Sequence, residues 1–274
     1  MRYIRRILLI IIAILLMFPL YWMIMGSLQN IFDIMKVPPK WIPAKLTIEN
    51  YIMIFQKVTI VRWFINTVVV STISIGIQLI CMMFAGYAFS MYNFSGKRII
   101  YWLYVSSLMI PGQALLIPRF ILMRNLHLID TWWSLVFIGA FNVVYMIFIK
   151  HFLDGIPSAI SDSARMDGAG ELRIIWSIMV PLSKPIIGYI VLMGYIASFQ
   201  DFLWPFLMIS TDARKTLAVG IIQLIKQATS QYSIMRPLGV SLAGSTILFV
   251  PILIVFLSFQ GVFKERFLAG GVKG

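Results

Sequence analysis

Cysteine, histidine and acidic residues are all scarce in this 274-residue sequence. It holds one cysteine, Cys81, and two histidines, His127 and His151. A single thiol closes no intrachain disulfide, and no Cys/His grouping carries the spacing of a metal site. Only 12% of the residues are charged, against about 25% in an ordinary soluble domain. The shortage falls on one sign, with 10 acids facing 23 lysines and arginines. A Gly-x-x-x-x-Gly-Lys-Ser/Thr phosphate loop is also missing. The one Gly-Lys pair, Gly96-Lys97, has Met91 in place of the first glycine and Arg98 in place of the hydroxyl residue, which excludes a nucleotide site of that kind. No Ser-His-acid set and no pair of carboxylates converges, so catalytic residues, metal ligands and cofactors are assigned to none of this chain.

What the sequence has in excess is apolar surface: 60% of residues are hydrophobic and the mean hydropathy is +0.91. A basic balance can mark nucleic-acid binding, but sparse charge with long apolar runs points to a membrane instead. A helical crossing needs about 20 mostly apolar residues. Six such segments are expected, at about 7–28, 64–92, 99–123, 131–152, 185–209 and 238–263. The first is longer than the apolar region of a signal peptide and shows no small-residue cleavage site, so it reads as a span. The whole of 1–274 is then a single transmembrane domain of all-α class. An even number of spans puts both termini on one side. With the termini inside, twelve Lys and Arg lie within and the remaining eleven of the 23 outside, a total that decides nothing. The flanks favour termini inside: Arg5 and Arg6 abut span one, and Lys97 and Arg98 sit in a short connector.

The connector at 154–184 carries four of the ten acids, Asp154, Asp162, Asp167 and Glu171. Pro157 suits a helix start, and Ala159, Ile160, Ser163 and Ala164 recur at spacings of three and four, on one face. Gly168 suits a left-handed helix stop. A second helical run is expected from Glu171 to Val180, ending at Pro181. The first helix is short and marginal alone, so it docks either on a partner or on its own membrane domain.

Asp162-Ser163-Ala164-Arg165-Met166-Asp167-Gly168-Ala169, followed by Pro181-Leu182 and Pro185, resembles the "EAA" loop of ABC importer permeases, with Asp for Glu and Ser for Ala at its first two positions. Other stretches resemble the carbohydrate branch, specifically its maltose-type six-span subunits. These are Pro38-Pro39-Lys40-Trp41-Ile42-Pro43 running on to Glu49-Asn50-Tyr51, Met109-Ile110-Pro111, Asp130-Thr131, Phe199-Gln200-Asp201-Phe202-Leu203-Trp204-Pro205, and the tail Ala269-Gly270-Gly271-Val272-Lys273-Gly274. In the tail, Gln260-Gly261 stands where that branch has Gln-Arg.

The resemblance implies the type I permease fold of a binding-protein-dependent importer, in a bacterial-type inner membrane with both termini cytoplasmic. It implies a coupling helix that meets an ATPase, with Asp162, Ser163, Ala164, Asp167, Gly168, Ala169 and Pro181 as the coupling residues. ATP and Mg would be held by two separate ATP-binding subunits. A second related permease, an extracytoplasmic sugar-binding protein and membrane lipid complete the expected partners, without nucleic acid. Asp201 is the one acid within a span, where charge is expensive and faces a cavity or partner. It either hydrogen-bonds a sugar in transit or caps a break near Pro205, and Gln200, Trp204 and Asn142 are further candidates for the substrate path. Two alternatives stand beside sugar import. One is an anionic solute such as a phosphorylated polyol or acidic sugar, suggested by the eleven outer cations. The other is an ion-coupled secondary transporter, which would show inverted repeats and several mid-membrane ionisable groups. A purely structural or sensory subunit would not need the Asp-Gly-Ala loop.

Overall fold

The computed structural model describes residues 2–34, 41–43, 45–56, 59–231 and 237–270, with the backbone only for 2, 31–32, 228–231, 237 and 259–270. Pro38-Pro39-Lys40 and Gly271–Gly274 of the motifs quoted above, and the side chains of Gln260, Ala269 and the residues between them, lie outside the described residues. Among the described residues there is helix and no strand. In chain order the helices are α1 (Arg2–Ser27), α2 (Ile31–Ile34), α3 (Glu49–Phe55), α4 (Ile60–Met91), α5 (Lys97–Ser106), α6 (Leu116–Asn125), α7 (Trp133–Gly139) and α8 (Val143–Asp154). They continue as α9 (Ser158–Met166), α10 (Glu171–Ile174), α11 (Val180–Leu182), α12 (Lys184–Gln200), α13 (Leu203–Met208), α14 (Leu217–Gln231) and α15 (Pro237–Gly270).

Three segments are long and apolar enough to cross a bilayer unaided: Tyr3–Ser27, Ile60–Met91 and Leu238–Ser258. At 1.5 Å per residue each spans about 30 Å or more, the thickness of the hydrocarbon core. They match expected spans one, two and six. The apolar side chains of α1 from Ile4 to Met17 are exposed, an arrangement that hydrocarbon accepts and water does not. Three further crossings exist if each bent pair of helices counts as one, so the candidate spans number three to six. This is the all-helical membrane fold that the composition requires.

Not every expected span is one continuous helix. Expected span three, 99–123, is two half-length pieces, Lys97–Met109 and Gly112–Asn125, whose axes differ by 96°. Ile110 lies at ψ 114° and Pro111 at ψ 133°. A proline crowds the preceding residue out of helical geometry and offers no N–H of its own. Expected span four, 131–152, bends by 45° between Gly139 and Val143. There Asn142 restarts the helix, its Oδ1 accepting from the Val144 and Tyr145 N–H groups at 3.0 and 3.3 Å. Expected span five, 185–209, is α12 and α13 separated at Asp201 and Phe202. The run Glu171–Leu182 ahead of it turns by 78° into Lys184–Gln200.

The chain divides into two compact units, Met1–Phe64 with Thr216–Leu253, and Ile65–Lys215 with Ile254–Gly274. In the first, Asn50 Nδ2 donates to the carbonyls of Ser27 and Gln29 at 2.9 and 3.0 Å, closing the end of α1. The Tyr51 and Ser27 hydroxyls share a 2.7 Å hydrogen bond. In the second, Met82, Met146, Ile149, Leu153, Ile174, Met179 and Ile190 form one buried cluster. Val70, Leu135, Val136, Trp204 and Met208 form another. Backbones approach closely at Gly86, where a Cβ would meet Ile149 Cγ2 at 2.7 Å.

Candidate functional site

The loop singled out by its acids folds as expected at its start and stop. Pro157 is extended, at ψ 129°, and α9 begins at the next residue. Gly168 ends it at φ +79°. The Gly168 N–H bonds the Arg165 carbonyl at 3.0 Å, and the Ala169 N–H reaches the Ala164 carbonyl at 2.9 Å. This pair of closures is the Schellman arrangement, which places a left-handed residue just past the helix. Ala164 and Ala169, brought together by it, both pack on the buried cluster around Met146 and Ile174. The sequence DGA is therefore a turn instruction: glycine for the left-handed corner, alanine for the packing beneath.

The structure splits the small-residue face. Ala159, Ile160, Ser163, Asp162, Asp167 and Gly168 are exposed, while Ala164 and Ala169 are half-buried. Ala164 is the member of that face that packs on the buried cluster, while its carbonyl accepts the Ala169 N–H. Met166 (82% exposed) and Leu172 (65%) add apolar surface on the same loop. Ser163, standing where the importer motif has alanine, donates its hydroxyl to the Ala159 carbonyl at 2.8 Å, so it presents little more than a small side chain. Pro181 is exposed and does not end the second run as expected, since α11 continues through it to Leu182. Before it, Ile175–Met179 widens to π-helix, with the Val180 N–H donating to the Ile175 carbonyl five residues back. The wide turn leaves room for a proline ring where an α-turn would clash.

A buried-edge network braces α9 from behind. Arg165 Nε donates to Glu171 Oε1 at 2.8 Å and its Nη1 to Asp162 Oδ1 at 2.8 Å. The Tyr87 hydroxyl, near the end of α4, donates to Glu171 Oε2 at 2.6 Å and accepts from Arg165 Nη2 at 3.3 Å. The guanidinium also lies over the Tyr92 ring at 5.9 Å. Ser90 Oγ donates to Asp154 Oδ1 at 2.8 Å, and Lys150 pairs with the same carboxylate at 2.6 Å. Sequence reasoning missed Arg165, Glu171 and Tyr87 as a unit. The i,i+3 spacing of Asp162 and Arg165 was a readable signal. Tyr87 lies 84 residues from Glu171 and carried none.

The candidates for a substrate path differ in their surroundings. Trp204 is buried, at 9% exposure, and its Nε1 donates to the Ser134 carbonyl at 3.1 Å. It belongs to a packed cluster with Val70, Leu135 and Met208. Asn142 caps α8 as described above. Asp201 and Gln200 are exposed. Asp201 Oδ1 accepts weakly from the Trp204 N–H at 3.4 Å, across the break between α12 and α13. Its geometry is that of a cap, and its second oxygen stays open.

A second polar knot forms toward the other end of α4. Asp130, at φ +59°, accepts from the backbone N–H groups of Ser210 and Thr211 at 3.0 and 2.9 Å and from the Thr211 hydroxyl at 2.6 Å. Arg214 pairs with it at 3.0 Å. Asn66 Nδ2 holds the carbonyls of Ala213 and Lys215, each at 2.9 Å. Burial pushes the Asp130 carboxyl up, but the Thr211 hydroxyl, the two backbone donors and Arg214 together outweigh it and lower its pKa to about 2. From Asn66 to Tyr87 the helix rises about 32 Å, a length comparable to the hydrocarbon thickness of a bilayer.

The chain belongs to the family of binding-protein-dependent transport system inner membrane components, whose pattern matches residues 78–268. It is 30% identical to the arabinooligosaccharides transport system permease protein AraQ of Bacillus subtilis (strain 168), over 96% of this chain and 92% of that one. The galactooligosaccharides permease protein GanQ of the same organism is 29% identical, over 100% and 97%. The maltodextrin permease protein MdxG is 30% identical, over 83% and 81%. These relatives are transport permeases, not enzymes. The fold matches a chain of a bacterial ABC transporter involved in import of the acidic polysaccharide alginate, with a TM-score of 0.81 at 21% identity, covering 94% of this chain and 95% of that one.

Proposed function

We propose that this chain is a permease subunit of an ATP-driven importer that moves a sugar or oligosaccharide into the cytoplasm. The observation that carries the reading is α9: a nine-residue helix with an exposed Ala159, Ile160, Ser163 and Met166 surface, held from behind by Arg165 and Glu171. An exposed helix so short is marginal alone, and a braced one offers a rigid knob. Asp162, Ser163, Asp167 and Gly168 present that knob to an ATPase subunit, while Ala164 and Ala169 seat it. Pro181 closes the loop at its far end.

Two such ATPase subunits, holding ATP and Mg, supply the energy, and a second related permease completes the pathway. An extracytoplasmic binding protein delivers the solute. Both termini and the α9 loop are then cytoplasmic, and alternating access is a rigid-body motion of the two permease halves. The oligosaccharide relatives support a sugar as cargo. Among the eleven outer cations that favoured an anionic cargo, Arg214 and Lys215 are paired with Asp130 and Asp212, which weakens that alternative. Asp201 and Gln200 remain the exposed candidates on the path. The test is reconstitution of the complex with its binding protein and measurement of ATP hydrolysis and uptake across neutral and acidic sugars. Stimulation by a neutral oligosaccharide is expected. Uptake driven by an ion gradient without ATP overturns the reading.

A further inference from the structure

We infer that Tyr87 is a positioning residue for energy coupling, through which the α9 loop grips span two. The inference rests on the coupling reading of that loop and names the part of the membrane domain that receives its motion. Arg165 and Glu171 brace α9 against α10, but both lie within the loop itself. Within α4 both meet the Tyr87 hydroxyl, and Tyr92, just past the end of that helix, supports the guanidinium with its ring. The Tyr87 hydroxyl donates to Glu171 Oε2 at 2.6 Å and accepts from Arg165 Nη2 at 3.3 Å.

Tyr87 is 2% exposed and its ring is held edge-on to Tyr92 at 5.8 Å. The hydroxyl is therefore fixed in place by packing and has no solvent to turn to. Three residues on, Ser90 and Asp154 tie the entrance of the same loop to the same helix at 2.8 Å. The loop is pinned to α4 at its start and at the foot of α9. A push on α9 then moves span two instead of flexing the loop. A hydrogen bond to a charged group is stronger than one between neutral groups, which suits a joint that must bear force in both directions.

The experiment uses the complete transporter in proteoliposomes with its binding protein, and reads solute moved per ATP hydrolysed. Tyr87→Phe removes the hydroxyl and keeps the ring. The expected result is normal co-purification of the ATPase subunits, persistent ATP hydrolysis and a fall of about threefold or more in solute per ATP. An unchanged ratio overturns the inference. Should Y87F fail to assemble, Arg165→Lys serves instead. It keeps the charge, yet one ammonium cannot hold Asp162, Glu171 and Tyr87 as the fork does. A lowered ratio in R165K supports the inference and an unchanged one overturns it. Met166→Asp, on the exposed side of α9, separates the two levels. If the ATPase subunits stay bound in M166D, the coupling reading itself fails. If they are released while Y87F keeps its ratio, only the role of Tyr87 is lost.

Discussion

Arg165 Nε and Glu171 Oε1 meet at 2.8 Å across a corner whose apex is Gly168. The two residues are six positions apart in the chain, and the left-handed glycine is what lets the chain turn back far enough for the side chains to meet. Charge, turn and packing thus act together: the Schellman closure sets the path, Ala164 and Ala169 fill beneath it, and the ion pair ties the top.

Gly168 is a position where backbone alone is tested. A Cβ there would meet nothing within 4 Å, so only the φ of +79° opposes a side chain. Gly168→Ala should destabilise the loop by about 1–2 kcal/mol, and Gly168→Asn by less, since asparagine tolerates left-handed geometry. Co-purification of the ATPase subunits and thermal unfolding of the complex measure this. Equal behaviour of Ala and wild type contradicts it.

Asp201→Asn should leave the break in span five intact, because Asn Oδ1 can still accept from the Trp204 N–H, now at 3.4 Å. Uptake kinetics of this variant therefore report the charge alone. A changed KM for sugar places Asp201 on the path. Unchanged kinetics in D201N, together with lost expression in Asp201→Ala, assign it to the break.

The Asp130 latch carries a pH signature. Its carboxyl is lowered from 3.8 to about 2 in the folded state. A depressed carboxylate contributes stability that is complete above its unfolded pKa and lost as pH falls through the folded one. The stability difference between wild type and Asp130→Asn should be flat from pH 8 to pH 5 and shrink between about pH 4 and pH 2. Thermal unfolding in detergent across that range is the measurement. A difference that vanishes by pH 6 would show that the latch is not held by this carboxylate.

Gly220 faces the Trp63 ring, and a Cβ built there overlaps its six-membered portion. Gly220→Ala should cost about 1–3 kcal/mol through overpacking. Trp63→Leu combined with Gly220→Ala should recover part of the loss by opening space. Additive effects in the double variant, read by thermal unfolding, would rule out a shared contact.

Composition and spacing alone were enough for the membrane class, the helix start after Pro157 and the stop at Gly168. Each of these depends on local chemistry: apolar length against bilayer thickness, ring geometry, and the conformations a residue permits. Ile110-Pro111 was also local, yet the 96° turn it produces was not anticipated, because a proline in a membrane segment allows either a kink or a full break. Tertiary structure decided the rest. It put Trp204 in a core by giving its indole N–H the Ser134 carbonyl, and turned Ala164 inward. It brought Tyr87, 84 residues away, onto Glu171. Nothing in the spacing of those residues encodes such meetings, since they arise from how broken helices pack. The scarcity of acids was legible from the start, but only the fold revealed that Asp130, Asp154 and Glu171 each tie together segments distant in the chain.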